Sequence, residues 1–169
     1  MASPIAVVAY DPEWVLIFEQ IRDFVLPAVS DLVIGIEHVG STSVPGLAAK
    51  PIIDVDVVVK APEHMRIAVQ RLAALGYVHE GDLGVTGREA FIPPQSMMWH
   101  HLYVVPVDNL ELKRHLLFRD YLRSHPEEAT TYGELKHELA HRFRDDRGAY
   151  SLGKSEYVTG VLQRAGWNG

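Results

Sequence analysis

The run PIIDVDVVV, residues 51–59, constrains the fold of this chain more than any other segment. It is apolar except for Asp54 and Asp56, which alternate with Val55 and Val57. This alternation predicts a β-strand with both valines in the core and both aspartates on the opposite face, their Cα atoms about 6.6 Å apart. Two carboxylates at that spacing repel each other unless a cation or a basic group lies near them. The strand therefore indicates a site for a hard cation such as Mg²⁺.

A glycine-rich segment, VGSTSVPGLAAK, precedes this strand and contains Gly40 and Ser41. A Gly-Ser turn after a strand lets backbone N–H groups approach a phosphate, and the serine hydroxyl adds a donor. The segment is not a P-loop, because five residues separate Gly40 from Gly46 and Lys50 follows four positions later. Taken alone, the Gly-Ser pair fits an ordinary turn and the aspartates fit a solvated sheet face. In this order, the two features favour a site for phosphate and metal.

The chain of 169 residues is predicted to be one domain, residues 1–169. Strand-like runs alternate with helices up to about Pro106, and the remainder is helical in pattern. Asp11 and Pro12 start a helix that Pro27 is expected to end. These patterns predict an α+β fold with a small mixed β-sheet, helices packed against it and a helical C-terminal part. The C-terminal helices are predicted over residues 110–124, 126–144 and 146–165.

The composition excludes several classes of protein. The net charge of -6 argues against general nucleic-acid binding, and the absence of cysteine excludes disulfides and thiolate chemistry. The N-terminal segment lacks the pattern of a signal peptide, and no apolar run reaches the roughly 20 residues of a membrane span. A cytoplasmic protein that does not act at a membrane is the expectation.

Several segments together resemble the GrpB family (UPF0157-like), within the nucleotidyltransferase (polymerase-β-like) superfamily. They are YDPEW, EHVGSTSVPGLAAKPIIDVDVVV, LGYVHEG, GREAF, HHLYVV, RHLLFRDYLRSHPE and YGELKHELA. The resemblance implies a nucleotidyltransferase-like fold and metal-dependent transfer of a nucleoside monophosphate from a nucleoside triphosphate to a small acceptor. It also implies that Gly40 and Ser41 bind the triphosphate, whereas Asp54 and Asp56 bind the metal.

The chain departs from the superfamily pattern at the third carboxylate, which is expected on a neighbouring strand. On the predicted strand MWHHLYVV, His101 and Tyr103 occupy the face where that acid would lie. His101 is a candidate third metal ligand or general base, and Tyr103 is a further site candidate. Mg²⁺ or Mn²⁺ is the expected cofactor, and Zn²⁺ is the alternative that an imidazole ligand would favour. Glu89 is a candidate for a displaced acid.

Basic residues near these segments could balance the charge of a phosphate chain. Lys50 and Arg88 are the preferred candidates, whereas Lys154 and Arg147 fit ordinary surface charges. His38 either points toward the site or caps its strand, and the sequence leaves this open.

Two other functions remain as alternatives. The first is a non-catalytic nucleotide-binding, ligand-binding or folding-assisting accessory domain, because GrpB-like domains are also fused to dephospho-CoA kinase. A homodimer or a fused enzyme is accordingly a candidate partner. The second is a zinc protease, since His137-Glu138-Leu139-Ala140-His141 matches H-E-x-x-H. The absence of any later histidine, with Glu156 as the formal third ligand, favours a packing helix instead.

Overall fold

The computed structural model of the protein describes residues 3–169, which form two compact units. The sheet unit consists of Glu13–Val39 and Ile52–Lys113. The helical unit consists of the residues up to Pro12, Gly40–Pro51 and Arg114–Gly169. The chain therefore leaves the sheet unit at Gly40, returns to it in the run that carries the two aspartates, and leaves it again at Arg114.

Five strands form one mixed sheet in the sheet unit, in the order β1-β2-β5-β4-β3. The central strands β2 and β5 run parallel, and every other neighbouring pair is antiparallel. The bounds are β1 Val33–Val39, β2 Ile53–Val59, β3 Val78–Gly81, β4 Glu89–Ile92 and β5 His100–Pro106. The α+β class and the mixed sheet expected from the sequence are thereby confirmed.

Two helices cover one face of this sheet. Helix α1 (Glu13–Val29) packs on β1 and β2. Helix α2 (Met65–Ala74), which directly follows a short 3₁₀ turn in the chain, packs on β5. Helix α1 begins after Asp11-Pro12 as predicted, but the prediction that Pro27 ends it is wrong, because Pro27 lies inside the helix. A proline in the last turn removes only its own N–H bond, so the helix continues for two more residues.

The apolar side chains of the two central strands meet the helices on that covered face. Val55, Val57, Leu102 and Val104 are each 0% exposed. Because neighbours in register share a face, the alternating residues Asp54 and Asp56 lie on the other face, as the strand pattern predicts.

Three helices supply the helical unit: α3 (Leu110–Ser124), which starts in the sheet unit, α4 (Pro126–Arg142) and α5 (Arg147–Arg164). Asp146 caps α5 by accepting a hydrogen bond from the Ala149 backbone N–H at 2.9 Å. Helices α4 and α5 approach closely at Gly153, where an added Cβ would lie 2.6 Å from Leu139 Cδ2. Within the described residues, no helix combines the length and apolar character that crossing a membrane requires.

Candidate functional site

The candidate site of the sheet unit lies on the face of β2 opposite to α1. In the parallel pairing, Asp54 lies beside His101 and Asp56 lies beside Tyr103. On the other edge of β2, antiparallel pairing places Glu37 of β1 beside Asp56. Since paired residues project to the same side of a sheet, these five side chains share one face, which we term the aspartate face.

A direct hydrogen bond links the first aspartate to the histidine of the neighbouring strand. The Nδ1–H of His101 donates to Oδ1 of Asp54 over 2.7 Å. Both side chains are partly accessible, at 40% for His101 and 29% for Asp54. This bond sets the orientation of the imidazole ring, so Nε2 is the nitrogen left for a substrate proton or a metal.

The second aspartate lies deeper than the first. Asp56 is 0% exposed, although neither α1 nor α2 covers this face of the sheet. A buried carboxylate is retained only where hydrogen bonds or positive charges compensate for its lost hydration. Asp56 is thus suited to hold a cation away from bulk water.

A tyrosine and an arginine complete this face. Burial, and after it the charge of Asp54, raises the pKa of Tyr103, whereas the charge of Arg88 acts in the opposite direction. The guanidinium carbon of Arg88 lies 4.3 Å from the centre of the Tyr103 ring. Its Nε is buried and has no hydrogen-bond partner among residues 3–169. The arginine therefore brings a positive charge to the same face as the two aspartates.

The Gly-Ser turn belongs to the helical unit and is held firmly there. Gly40 adopts φ 72° and ψ -176°, a conformation that essentially only glycine tolerates. The hydroxyl of Ser43 donates to the carbonyl of Gly40, and Nε of Arg123 donates to the carbonyl of Ser43 over 2.9 Å. Burial raises the pKa of Tyr132 in α4, and the neighbouring Ser41 side chain acts in the opposite direction. The turn is preorganised, as a backbone phosphate-binding turn needs to be.

The structure distributes the sequence-predicted site residues between the two units. The sheet unit brings together Asp54, Asp56, His101, Tyr103 and Arg88, and the helical unit contains Gly40, Ser41 and Lys50.

Two candidates lie on the covered face of the sheet. The ring of His38 stacks on Phe18 of α1, with the ring centres 4.8 Å apart. Glu89 shares that face with Val104 and bonds to Nε2 of His79 on β3. Neither side chain belongs to the aspartate face.

The H-E-x-x-H match lies on α4. His137 and His141 are both exposed on that helix. No group of three His, Cys, Asp or Glu residues in the described chain is arranged to hold a metal ion. The geometry thus favours the packing-helix interpretation of this motif.

Sequence reasoning missed two residues. Glu37 supplies a carboxylate beside Asp56 from β1, whereas the sequence pattern indicated β5 for the third acid and Glu89 as a displaced one. The sequence shows that Glu37 shares a strand face with Gly35 and Val39. It does not show which residue of β2 lies beside Glu37. Lys136 of α4 is 2% exposed. The sequence signal for its burial is that the residues one helical turn away from it are apolar.

The aspartate face carries oxygen donors of the kind that a hard cation prefers. Asp54 and Asp56 offer carboxylate oxygens, and the Asp54 bond to His101 leaves Oδ2 for a cation. With no complete three-residue cage among residues 3–169, substrate phosphate oxygens or water would have to fill the remaining positions.

The sheet order and the aspartate face define an α+β protein with a nucleotidyltransferase-like fold. The chain belongs to the GrpB family, whose sequence model, described as GrpB protein, matches residues 4–164. The chain is similar to the crystal structure of conserved protein GrpB from Enterococcus faecalis, with a TM-score of 0.85 and 37% sequence identity. The match covers 95% of this chain and 96% of that one. The chain is also similar to Cid1, whose structure was solved in complex with its short product ApU, with a TM-score of 0.54 and 13% sequence identity. That match covers 92% of this chain and 46% of the Cid1 chain. This second similarity shows the fold alone.

Curated relatives extend this similarity to longer proteins. The chain is 35% identical to UPF0157 protein YqkA of Bacillus subtilis and 41% identical to a UPF0157 protein of Pseudomonas aeruginosa, with 95% of this chain covered in each match. It spans 47% of the first relative and 67% of the second. A match of 26% identity to dephospho-CoA kinase of Mycolicibacterium paratuberculosis covers 96% of this chain and 46% of that protein.

Proposed function

We propose that this protein is a metal-dependent nucleotidyltransferase that moves a nucleoside monophosphate from a nucleoside triphosphate to a hydroxyl of a small acceptor. The observation that carries the proposal is the Asp54–His101 hydrogen bond on the same sheet face as the buried Asp56. An oriented imidazole beside two carboxylates combines a proton acceptor with a cation site.

In the proposed reaction, the acceptor oxygen forms a bond to the α-phosphorus while the bond to the leaving oxygen breaks and pyrophosphate departs. The acceptor proton goes to Nε2 of His101, and Asp54 stabilises the resulting imidazolium through its bond to Nδ1. Asp54 and Asp56 would hold Mg²⁺ or Mn²⁺, which when bound neutralises phosphate charge and polarises the α-phosphoryl group.

The remaining candidates are proposed for each unit by itself. In the helical unit, backbone N–H groups of the turn after Gly40, the Ser41 hydroxyl and Lys50 are proposed to bind phosphate oxygens. In the sheet unit, Arg88 is proposed to balance phosphate charge. Support for the turn is its glycine-dependent conformation and the bonds that hold it in place. The fold is shared with Cid1, which was solved with its product ApU, and this similarity supports the proposal of a nucleotide ligand.

The proposal is tested by incubating the protein with labelled nucleoside triphosphates, Mg²⁺ or Mn²⁺ and a panel of hydroxyl acceptors. Transfer of label to an acceptor with release of pyrophosphate is expected. It should be lost in Asp54→Asn and Asp56→Asn and kept in Glu63→Gln, a change at an exposed acid of the same unit. Absence of transfer by the wild type across the panel would refute the proposal, whether or not the protein binds nucleotide.

An accessory domain is the second candidate, and the match to dephospho-CoA kinase over 46% of that protein favours it. In this case the fold would bind a ligand or assist a fused or separate enzyme without transferring a nucleotide. A thermal-shift screen separates the two functions. Stabilisation by nucleoside triphosphate with metal supports the transferase, and stabilisation only by a protein partner supports the accessory domain.

A further inference from the structure

The helical unit contains a buried lysine for which the described residues offer no hydrogen-bond partner. Lys136 of α4 is 2% exposed, and its Nζ has no hydrogen-bond partner among residues 3–169. Burying an ammonium group without a partner is unfavourable, so an ordinary packing role would be served better by an apolar side chain. This position therefore indicates a function for the amine.

The surroundings of this amine are aromatic and basic. Its Nζ lies 4.6 Å from the centre of the Tyr132 ring, and the Ser41 side chain of the turn is close enough to that tyrosine to lower its pKa against the effect of burial. Lys50 and Lys154 both lie against the ring of Tyr150, with Nζ at 5.4 and 4.4 Å from its centre.

The charges of Lys50 and Lys154 act on the amine of Lys136. Burial and the charges of Lys154 and Lys50 lower the pKa of Lys136 to about 7. The lysines come from three segments of the same unit: the loop after Gly40, α4 and α5. Like charges brought together in this way repel, and a multiply charged anion would relieve that repulsion.

We propose that Lys50, Lys136 and Lys154 form a binding site for a polyphosphate chain, with Ser41 as an additional hydrogen-bond donor. Three separate ammonium groups match the distributed negative charge of a triphosphate better than that of a single phosphate. The identity of the anion rests on the proposed function, since a nucleoside triphosphate carries such a chain, but its binding requires neither the metal nor the aspartate face.

The test is isothermal titration calorimetry of the full chain with inorganic triphosphate in the presence of a chelator. Wild type, Lys136→Met, Lys154→Met and Lys113→Met are compared, the last being an exposed lysine of α3. We expect Kd to rise at least tenfold in the Lys136 and Lys154 variants and to stay within twofold in the control. Binding should also take up protons, seen as a dependence of the measured heat on the buffer, because the anion favours the charged form of Lys136.

A wild type that fails to bind triphosphate would overturn the proposal. Equal affinity in folded Lys136→Met would do so too, and would assign the amine to packing against Tyr132. If the Lys136 variant does not fold, unchanged affinity in Lys154→Met has the same consequence. Triphosphate binding without transfer to any acceptor would refute the transferase alone, whereas transfer without this lysine dependence would refute the lysine site alone.

Discussion

Nδ1 of His101 and Oδ1 of Asp54 lie 2.7 Å apart although 47 positions separate the residues in the chain. The parallel pairing of β2 with β5 creates this contact, because it places the two residues side by side on one face. The histidine occupies the position where the sequence pattern led us to look for a third carboxylate. The hydrogen bond couples the two side chains, so in the proposed reaction they should not act independently.

Substitution at either member of that pair should therefore cost about as much as substitution at both. We expect His101→Gln and Asp54→Asn each to lower the rate of nucleotidyl transfer by about 10²–10⁴-fold. The double variant should fall little further, since residues that act as a unit are strongly non-additive. Initial rates of the four proteins measure this coupling. Fully multiplicative losses would show that His101 and Asp54 contribute separately.

The buried aspartate should control metal binding. We expect Mn²⁺ to raise the melting temperature of the wild type in the presence of a nucleotide, because a ligand that binds only the folded state stabilises it. Asp56→Asn removes one anionic ligand and should abolish most of this shift, whereas Glu63→Gln should retain it. Thermal denaturation with and without Mn²⁺ is the measurement. An undiminished shift in Asp56→Asn would place the metal elsewhere.

The buried lysine should make stability depend on pH. Its folded pKa of about 7 lies below the ordinary value of 10.5, so the unfolded chain binds its proton more tightly. The resulting destabilisation is fully present below about pH 7 and disappears as the pH rises toward 10.5. Over this range the unfolding free energy increases by up to about 1.4 kcal/mol per pH unit. Lys136→Met should therefore be more stable than the wild type near neutral pH, with a gain that shrinks at alkaline pH.

Urea unfolding of both proteins at about pH 7 and about pH 10 checks this expectation. The difference in unfolding free energy between the variant and the wild type should be larger at the lower pH. A difference that does not change with pH would mean that Lys136 keeps an ordinary affinity for its proton in the folded protein.

The first residue of the turn should tolerate only glycine. With φ at 72° and ψ at -176°, Gly40→Ala forces a side chain into a backbone region that is otherwise nearly empty. We expect a loss of about 1–3 kcal/mol in unfolding free energy and weaker nucleotide binding. Denaturant unfolding and nucleotide titration measure the two effects. Unaltered stability and affinity would show that the turn accommodates a side chain without rearrangement.

Much of the architecture was predictable because it depends on local patterns. Alternation placed Asp54 and Asp56 on one face and the valines between them on the other, and the pairing in the structure agrees. The helix signals located α3 at the bounds that the structure shows. The error at Pro27 arose because the local rule treats proline as a stop, whereas a helix near its end loses only one hydrogen bond there.

The sequence by itself thus determined which residues alternate, where chain segments turn and which family the chain resembles. Only the tertiary structure decided which side chains meet. Strand register brings Glu37 beside Asp56 and His101 beside Asp54, and helix packing buries Lys136 in the unit that holds Lys50 and Lys154. The physical reason is that these contacts join residues far apart in the chain, where no short-range periodicity records the partner, and burial then changes the chemistry of each charged group.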